Sequence, residues 1–436
     1  MFTLAWPIVL AELGWTVMGI VDTLVVGRLP DSAEAIAAVS LGTILFYTMG
    51  IFGSGLLLGL DPLVAQAFGA REPNEGRRWL VNALYLCVPL SVALMAVLWG
   101  CAPLLDRIGE KPEVMRLMKP YLSALTWSIF PLLIYFGLRR YLQAVGLVGP
   151  VLFALISANL VNLAANFVLV YGRLGAPAMG VTGSAWATVI SRVYMAAVLA
   201  GALIWQEGAK FQGAFRAELW RMARLLGLGL PAGSQILLET GVFAVAAALI
   251  GRLNSASLAA HQIALNAASF TFMVTLGISS AGAVRVGHAL GRNDTRAAAV
   301  AGWAALTLGV GFMSCAAVIF WTFSEPLARM YTSDPTVIRV SVALLFVAGL
   351  FQIFDGTQVV VAAALRGAGD THTPMICHLI GYWGVGLPLG YVLCFNFHQG
   401  AVGIWIGLWV ALMLIGSVLL ALWWRLVKQW EVARLA

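Results

Sequence analysis

The chain has 436 residues, of which 61% are hydrophobic and only 10% charged, and its mean hydropathy is +0.91. A soluble domain carries about 25% charged residues, so this composition excludes a soluble enzyme, a nucleic-acid binder, a disulfide scaffold and a disordered chain. It leaves a polytopic membrane protein. The net charge of +7 comes from basic residues scattered over the connections with no long basic run, which is a topology signal and not a nucleic-acid footprint.

The first apolar run starts at Phe2 without a basic segment before it, continues past Leu24 and contains Glu12 and Asp22. It is expected to be a retained span, not a cleaved signal. In chain order, breaks at charged, Pro- and Gly-rich stretches predict spans at 3–27, 34–60, 79–102, 121–144, 150–171, 182–205, 226–251, 256–284, 297–320, 337–364, 374–395 and 401–424. About 20 apolar residues cross a bilayer as a helix. None of the segments alternates as a barrel strand would, and unpaired backbone in lipid costs several kcal/mol per group, so helices are expected.

Twelve spans place both termini on one side. Of the 26 Lys and Arg, 16 belong to the termini and the even-numbered connections, Arg139 and Arg140 among them. The odd-numbered connections hold 9, including Arg107 and Lys111, and Arg192 lies inside a span. The positive-inside rule then puts both termini in the cytoplasm.

The chain also repeats itself. Pro7 to Leu29 lies over Pro231 to Leu253 at an offset of 224, with 7 of 23 positions identical, Pro7/Pro231, Gly27/Gly251 and Arg28/Arg252 among them. Nearly the same offset pairs Gly55 with Gly277, Gly69 with Gly291, Gly146 with Gly369 and Gly183 with Gly403. Six spans per half is an even number, so the halves share one topology. The expected fold is all-α: twelve transmembrane helices in two six-helix lobes, related by a pseudo-two-fold axis along the membrane normal. The lobes are expected at 1–205 and 225–436, joined by a cytoplasmic linker at 206–224. In that linker Phe211, Phe215, Leu219 and Met222 recur at helical spacing among basic residues, which suits either a short helix on the membrane surface or a plain connection.

Acids deep in a span are the strongest functional pointer, because each costs about 2.5–3.5 kcal/mol to insert. They are Glu12 and Asp22 in span 1, Glu239 in span 7 and Asp355 in span 10, with Asp61 at the end of span 2. Only Arg192 offers itself as a basic partner within a neighbouring span. Desolvation disfavours an unpaired anion, so such a group holds a proton, coordinates Na⁺ with nearby oxygens, or bonds a helix carbonyl as structural glue. Asn159, Asn162 and Asn166 share one face of span 5, and Gln262 and Asn266 share one face of span 8. These amides either bond helices together or line a polar cavity. The sites are not copies, because Asp22 falls on Ala246 and Glu239 on Trp15 at the repeat offset.

Enzyme chemistry finds no support. There is no HExxH, GxSxG or Walker A sequence, and the five cysteines form no metal spacing. Gly367 to Asp370 matches GxGD but follows Arg366 in a turn, with no partner aspartate at a Tyr-Asp dipeptide.

The ordered set of motifs resembles the multidrug and toxic compound extrusion (MATE) family in its NorM-like branch. It runs from Met18-Gly-Ile-Val-Asp-Thr23 through Pro62 to Ala70, Gly180 to Thr188, Ala259-Ala-His-Gln-Ile263 and Arg285 to Gly291, to Leu365-Arg-Gly-Ala-Gly-Asp370. The resemblance implies two cation sites: Asp22, Asn162, Asn166 and Thr188 in the N-lobe, and Glu239 with Asp355 in the C-lobe, the latter a candidate for Na⁺. Glu12, Gln262 and Asn266 are possible additions. It further implies a monomeric exporter in the bacterial inner membrane, surrounded by lipid. Such a protein exchanges small, often aromatic, organic cations for H⁺ or Na⁺ by alternating access of its lobes, without a cofactor. The alternative in the same superfamily is a lipid-linked oligosaccharide flippase, which calls for a basic cavity where this chain has acids. Two positions depart from the family pattern: Glu12 replaces a small or neutral residue, and Phe351 stands where some relatives have Tyr and so removes a hydroxyl ligand.

Overall fold

The computed structural model describes residues 2–29, 32–101, 112–211 and 214–435; Arg107 and Lys111 of the topology count lie outside them. Among the described residues every regular element is helical. The principal helices are α1 (Phe2–Val26), α2 (Ser32–Gly69), α3 (Pro73–Cys101), α4 (Pro112–Thr126 continued by Ile129–Ala144), α5 (Gly149–Tyr171) and α6 (Val181–Glu207). They continue with α7 (Leu219–Gly251), α8 (Ser255–Gly291), α9 (Thr295–Thr322), α10 (Pro335–Gly367), α11 (His372–Asn396) and α12 (Gly400–Leu435). Ten of these are long and apolar enough to cross a membrane, eleven with the bent pair of α4 counted as one. The 25-residue α1 is the remaining expected span.

The turns explain three acids outside the spans. Asp294 accepts the Ala297 amide at 2.8 Å and caps α9, and Asp334 accepts the Thr336 amide at 2.7 Å and caps α10. Pro335 follows at the first helical position, where a missing N–H costs nothing. Asp370 accepts the Thr373 amide at 3.0 Å at the start of α11. These carboxylates satisfy orphan amides and are unavailable as sites.

Proline shapes two helices. The halves of α4 meet at 44° across Trp127–Ser128. Pro131 lacks the N–H that would bond to Trp127, so the helical ladder breaks there. In α11, residues Leu379–Gly386 and Val392–Asn396 are wound as wider π-type turns on either side of Pro388.

The chain gathers into two compact units. One comprises residues 10–68 and 72–233, the other 1–9, 69–71 and 234–436. Within the first, the beginning of α7 packs on α2: a Cβ on Gly229 would lie 2.0 Å from the Leu56 carbonyl oxygen, and one on Gly59 would lie 2.7 Å from that of Leu225. Within the second, a Cβ on Gly277 of α8 would lie 2.5 Å from a Val9 methyl of α1. Gly277 is the repeat partner of Gly55, and Val9 of Gly233, so each half uses glycine at the corresponding close approach.

The connection at 206–224 forms no continuous surface helix. Its described residues form a short turn at Gly208–Phe211 and irregular chain over 214–218, and α7 begins at Leu219, earlier than the expected span at 226. The reason is packing against α3. Asn82 accepts the Glu218 amide at 2.7 Å and donates to the Arg216 carbonyl at 3.2 Å. Arg221, almost fully buried, stacks on Trp79 and Trp220 and pairs with Glu75 at 2.7 Å and Glu218 at 3.1 Å. These paired and stacked basic groups hold the chain to its own unit.

Gly229→Val is expected to destabilise the protein by at least about 1–3 kcal/mol through overpacking. Gly227→Ala, where the added methyl meets open space, is expected to raise stability by a few tenths of a kcal/mol or more. Thermal unfolding of the two purified variants distinguishes them.

Candidate functional site

Two separate clusters hold carboxylates among amides and hydroxyls. The first lies in the unit of residues 10–68 and 72–233. Gly14 lets α1 press onto Leu155 of α5, and the Asn159 amide donates to the Gly14 carbonyl at 3.2 Å. Gly172, at φ +68°, ends α5 in a left-handed turn. Gly183 then brings α6 back so close that a Cβ would meet the Leu169 carbonyl at 2.6 Å. These three contacts fix where the polar side chains meet.

Asp22 sits at their intersection, 8% exposed. Asn166 Nδ2 donates to its Oδ1 at 2.7 Å and Thr188 Oγ1 to its Oδ2 at 3.0 Å. Asn162 lies beside the same carboxylate, and its Oδ1 accepts from Asn166 Nδ2 at 3.2 Å. The structure therefore brings together Asp22, Asn162, Asn166 and Thr188, while Asn159 serves as inter-helix glue. Asn162 Nδ2 and Asn166 Oδ1 are buried without a partner among the described residues, so the cluster has hydrogen-bonding capacity to spare. Arg192 is fully buried nearby, donates to Ser128 and stacks over Phe46 at 4.5 Å. It forms no salt bridge with Asp22.

The second cluster lies in the other unit. Trp383 of α11 donates to the Leu238 carbonyl at 3.1 Å and packs against Gly241, which docks α11 beside α7. Gly356 and Gly309 allow α10 to pack tightly on α9. Glu239 of α7, with 17% of its side chain exposed, and the buried Asp355 of α10 then converge on one amide. Gln358 Nε2 lies 3.2 Å from Glu239 Oε1 and 3.1 Å from Asp355 Oδ1. His378 stands behind Gln358, its Nε2 2.8 Å from Gln358 Oε1, 3.4 Å from Gln235 and 3.9 Å from Glu239 Oε2. Phe243 and Phe351 form an aromatic wall with Tyr382, whose hydroxyl is buried without a partner among the described residues. The Tyr382 ring also packs on His378, with ring centroids 5.6 Å apart.

Not every expected acid belongs to such a cluster. Glu12 is ion-paired with Arg139, and Asp61 with Arg140 at 3.6 Å. Arg139 and Arg140 lie within the second half of α4, Arg139 almost fully buried. The topology count assigned both to a connection, and that assignment hid the partner of Glu12. Gln262 and Asn266 sit on an exposed face of α8 and make no hydrogen bond among the described residues. Gln358, His378 and Gln235 escaped notice in the sequence. The available signal was one turn of helix: Gln358 follows Asp355 by three residues, and Gln235 precedes Glu239 by four.

Duplicated apolar helices with carboxylates buried among neutral donors define the class: a polytopic membrane protein built as secondary transporters are. A family model described as MatE matches residues 7–168 and again residues 231–392, the same offset that the repeat shows. The chain belongs to the MatE family. It is 38% identical over 434 residues to the "Probable multidrug resistance protein NorM" of Mesorhizobium japonicum, covering 97% of this chain and 92% of that protein. The protein of the same name from Brucella suis is 35% identical over 437 residues, covering 97% of this chain and 91% of the relative. A solved structure described as "Crystal structure of MATE in the bent conformation" superposes with a TM-score of 0.89 at 19% identity, over 99% of this chain and 96% of that one. It shares the fold.

Glu12→Ala strands the Arg139 guanidinium in the core and is expected to cost about 3–5 kcal/mol. Asp22→Asn preserves a hydrogen-bonded neutral side chain and is expected to leave the melting temperature within a few degrees of wild type. Thermal unfolding in detergent checks both.

Proposed function

We propose that the chain is a secondary active multidrug exporter that antiports small organic cations against H⁺ or Na⁺. The observation that carries this reading is the Glu239–Asp355 cluster, in which two carboxylates share one amide and no Lys or Arg pairs with either among the described residues. A site built this way has negative charge to offer and no fixed cation to neutralise it. It accepts a mobile one, which is a proton, a sodium ion or an organic cation. Asp22, with Asn162, Asn166 and Thr188, is the second ion site in the reading, with the buried Arg192 as an electrostatic neighbour that does not form a salt bridge with it. The named multidrug resistance relatives, matched over nearly their whole length, support the substrate class.

The cycle follows from linkage. Protonating or cation-loading a cluster removes the charge that retains the drug, and drug binding in turn lowers the affinity for the coupling ion by the same factor. Lobes at 1–205 and 225–436, joined by 206–224, exchange between two arrangements that favour one ligand or the other. The excess of Lys and Arg on the termini and even-numbered connections supports cytoplasmic termini, and the bacterial relatives support an inner membrane. Moving Arg139 and Arg140 from that count into the buried helix reduces the excess without reversing it. The monomer suffices, because each cluster is completed by residues of one chain.

Asp355→Asn is expected to abolish export while leaving membrane insertion and purification yield intact. Ethidium efflux from inverted vesicles under an imposed pH gradient, and separately under an imposed Na⁺ gradient, measures this and identifies the coupling ion. Wild-type vesicles that respond to neither gradient would overturn the antiport reading.

A further inference from the structure

The C-terminal cluster contains a hydrogen-counting problem whose solution involves His378. Its Nδ1 lies 2.7 Å from the Pro374 carbonyl oxygen. A carbonyl only accepts, so Nδ1 carries a hydrogen. Its Nε2 lies 2.8 Å from one terminal atom of the Gln358 amide, and the other terminal atom of that amide faces both Glu239 and Asp355. The two ends of a glutamine amide are interchangeable by rotation, and their chemistry is opposite.

Two limiting arrangements satisfy every contact, one with both carboxylates ionised and one with both protonated. In one, the Gln358 NH₂ donates a hydrogen to each carboxylate and its oxygen accepts from His378 Nε2–H. Both ring nitrogens then carry hydrogen, so His378 is an imidazolium facing two carboxylates and the cluster has a net charge of minus one. In the other, the amide is rotated. Its NH₂ donates to the bare Nε2 of a neutral His378, and its oxygen accepts from the O–H groups of protonated Glu239 and Asp355. The cluster is then neutral.

We propose that His378 is the third titrating member of the C-terminal site and that the Gln358 amide couples its charge to that of the carboxyl pair. This rests on the antiport reading and deepens it. Conversion between the arrangements balances with one external proton. The His378 Nε2–H bond breaks and its proton passes to Glu239 Oε2, which stands 3.9 Å away, and the carboxyl then turns so that this O–H meets the Gln358 oxygen. A proton from the aqueous side bonds Asp355, and the Gln358 amide rotates. Two carboxyls are thus filled for a net uptake of one proton, which makes the cluster a one-for-one exchanger of H⁺ for a monovalent cation. The groups that contact His378 are Glu239 from α7 and Tyr382 on its own helix, with Asp355 of α10 reached through the Gln358 amide and the Gln235 amide able to serve Nε2 in either orientation. Neither carboxylate has a competing Lys or Arg salt bridge among the described residues. A buried histidine placed only for packing would need neither the amide nor the carboxylates.

The test is nitrogen NMR of the full-length protein, labelled at its five histidines and reconstituted in lipid nanodiscs, with His378→Gln identifying the His378 signals. The expected result is a reversed titration: imidazolium when the carboxylates are ionised, and the neutral Nδ1–H tautomer as they protonate when the pH is lowered through the physiological range. In Glu239→Gln/Asp355→Asn, which imitates the protonated pair, His378 is expected to be neutral over that range. As a second readout, His378→Gln is expected to move the pH of half-maximal tetraphenylphosphonium binding about one unit to the alkaline side, because the carboxylates lose a cationic neighbour. An ordinary titration, with imidazolium only at acid pH and no effect of the double variant, would overturn the proposal. If neither ion gradient drives efflux but the reversed titration is seen, the export reading fails and the His378 assignment stands.

Discussion

A carboxylate buried in an apolar helical bundle must find a partner, and the kind of partner decides what the group does. This chain has both outcomes side by side. Glu12 meets Arg139 and Asp61 meets Arg140, so their charges are cancelled permanently and the pairs hold helices together. Asp22 meets Asn166 and Thr188, while Glu239 and Asp355 meet Gln358. Neutral donors stabilise an anion without cancelling it, and in the proposed function the remaining charge is what a mobile cation neutralises. Breaking a buried ion pair leaves an uncompensated charge; exchanging the ion on an amide-held carboxylate does not.

The duplication shows how the two clusters arose on one scaffold without becoming identical. The repeat partner of Asp22 is Ala246, which is fully buried in the C-terminal core. The repeat partner of Glu239 is Trp15, whose ring packs against Tyr135 and Phe136 at 5.9 and 5.7 Å. In each half the position that carries an acid in the other became packing. What both halves kept is glycine at the helix crossings, because backbone atoms approach there to distances that no side chain tolerates. The chemistry diverged, and the close packing that positions it remained.

Helix shape does part of the same work. The wide turns of α11 lie immediately after His378, from Leu379 onward. They absorb Pro388 and let the Tyr382 and Trp383 rings meet α7. Irregular turns of this kind re-aim side chains within an otherwise continuous span. In α4 the bend near Pro131 separates a half that packs on α2 at Gly42 from one that delivers Arg139 to Glu12 and Arg140 to Asp61.

The all-helical membrane fold, the spans to within several residues and the duplication were legible in the sequence, because the bilayer imposes a minimum apolar length and glycine and proline mark where helices touch and stop. Asp22, Glu239 and Asp355 were legible as the acids to watch, because a charge in a span is too costly to be incidental. Tertiary structure alone decided which acids are neutralised. Glu12 and Arg139 are 127 residues apart, and an ion pair leaves no local pattern when its members come from different helices. The same holds for Gln358 and His378, ordinary polar residues until α7, α10 and α11 converge. Burial cost depends on a residue's own chemistry and can be read one position at a time. Partnership depends on which helix faces arrive at the same place.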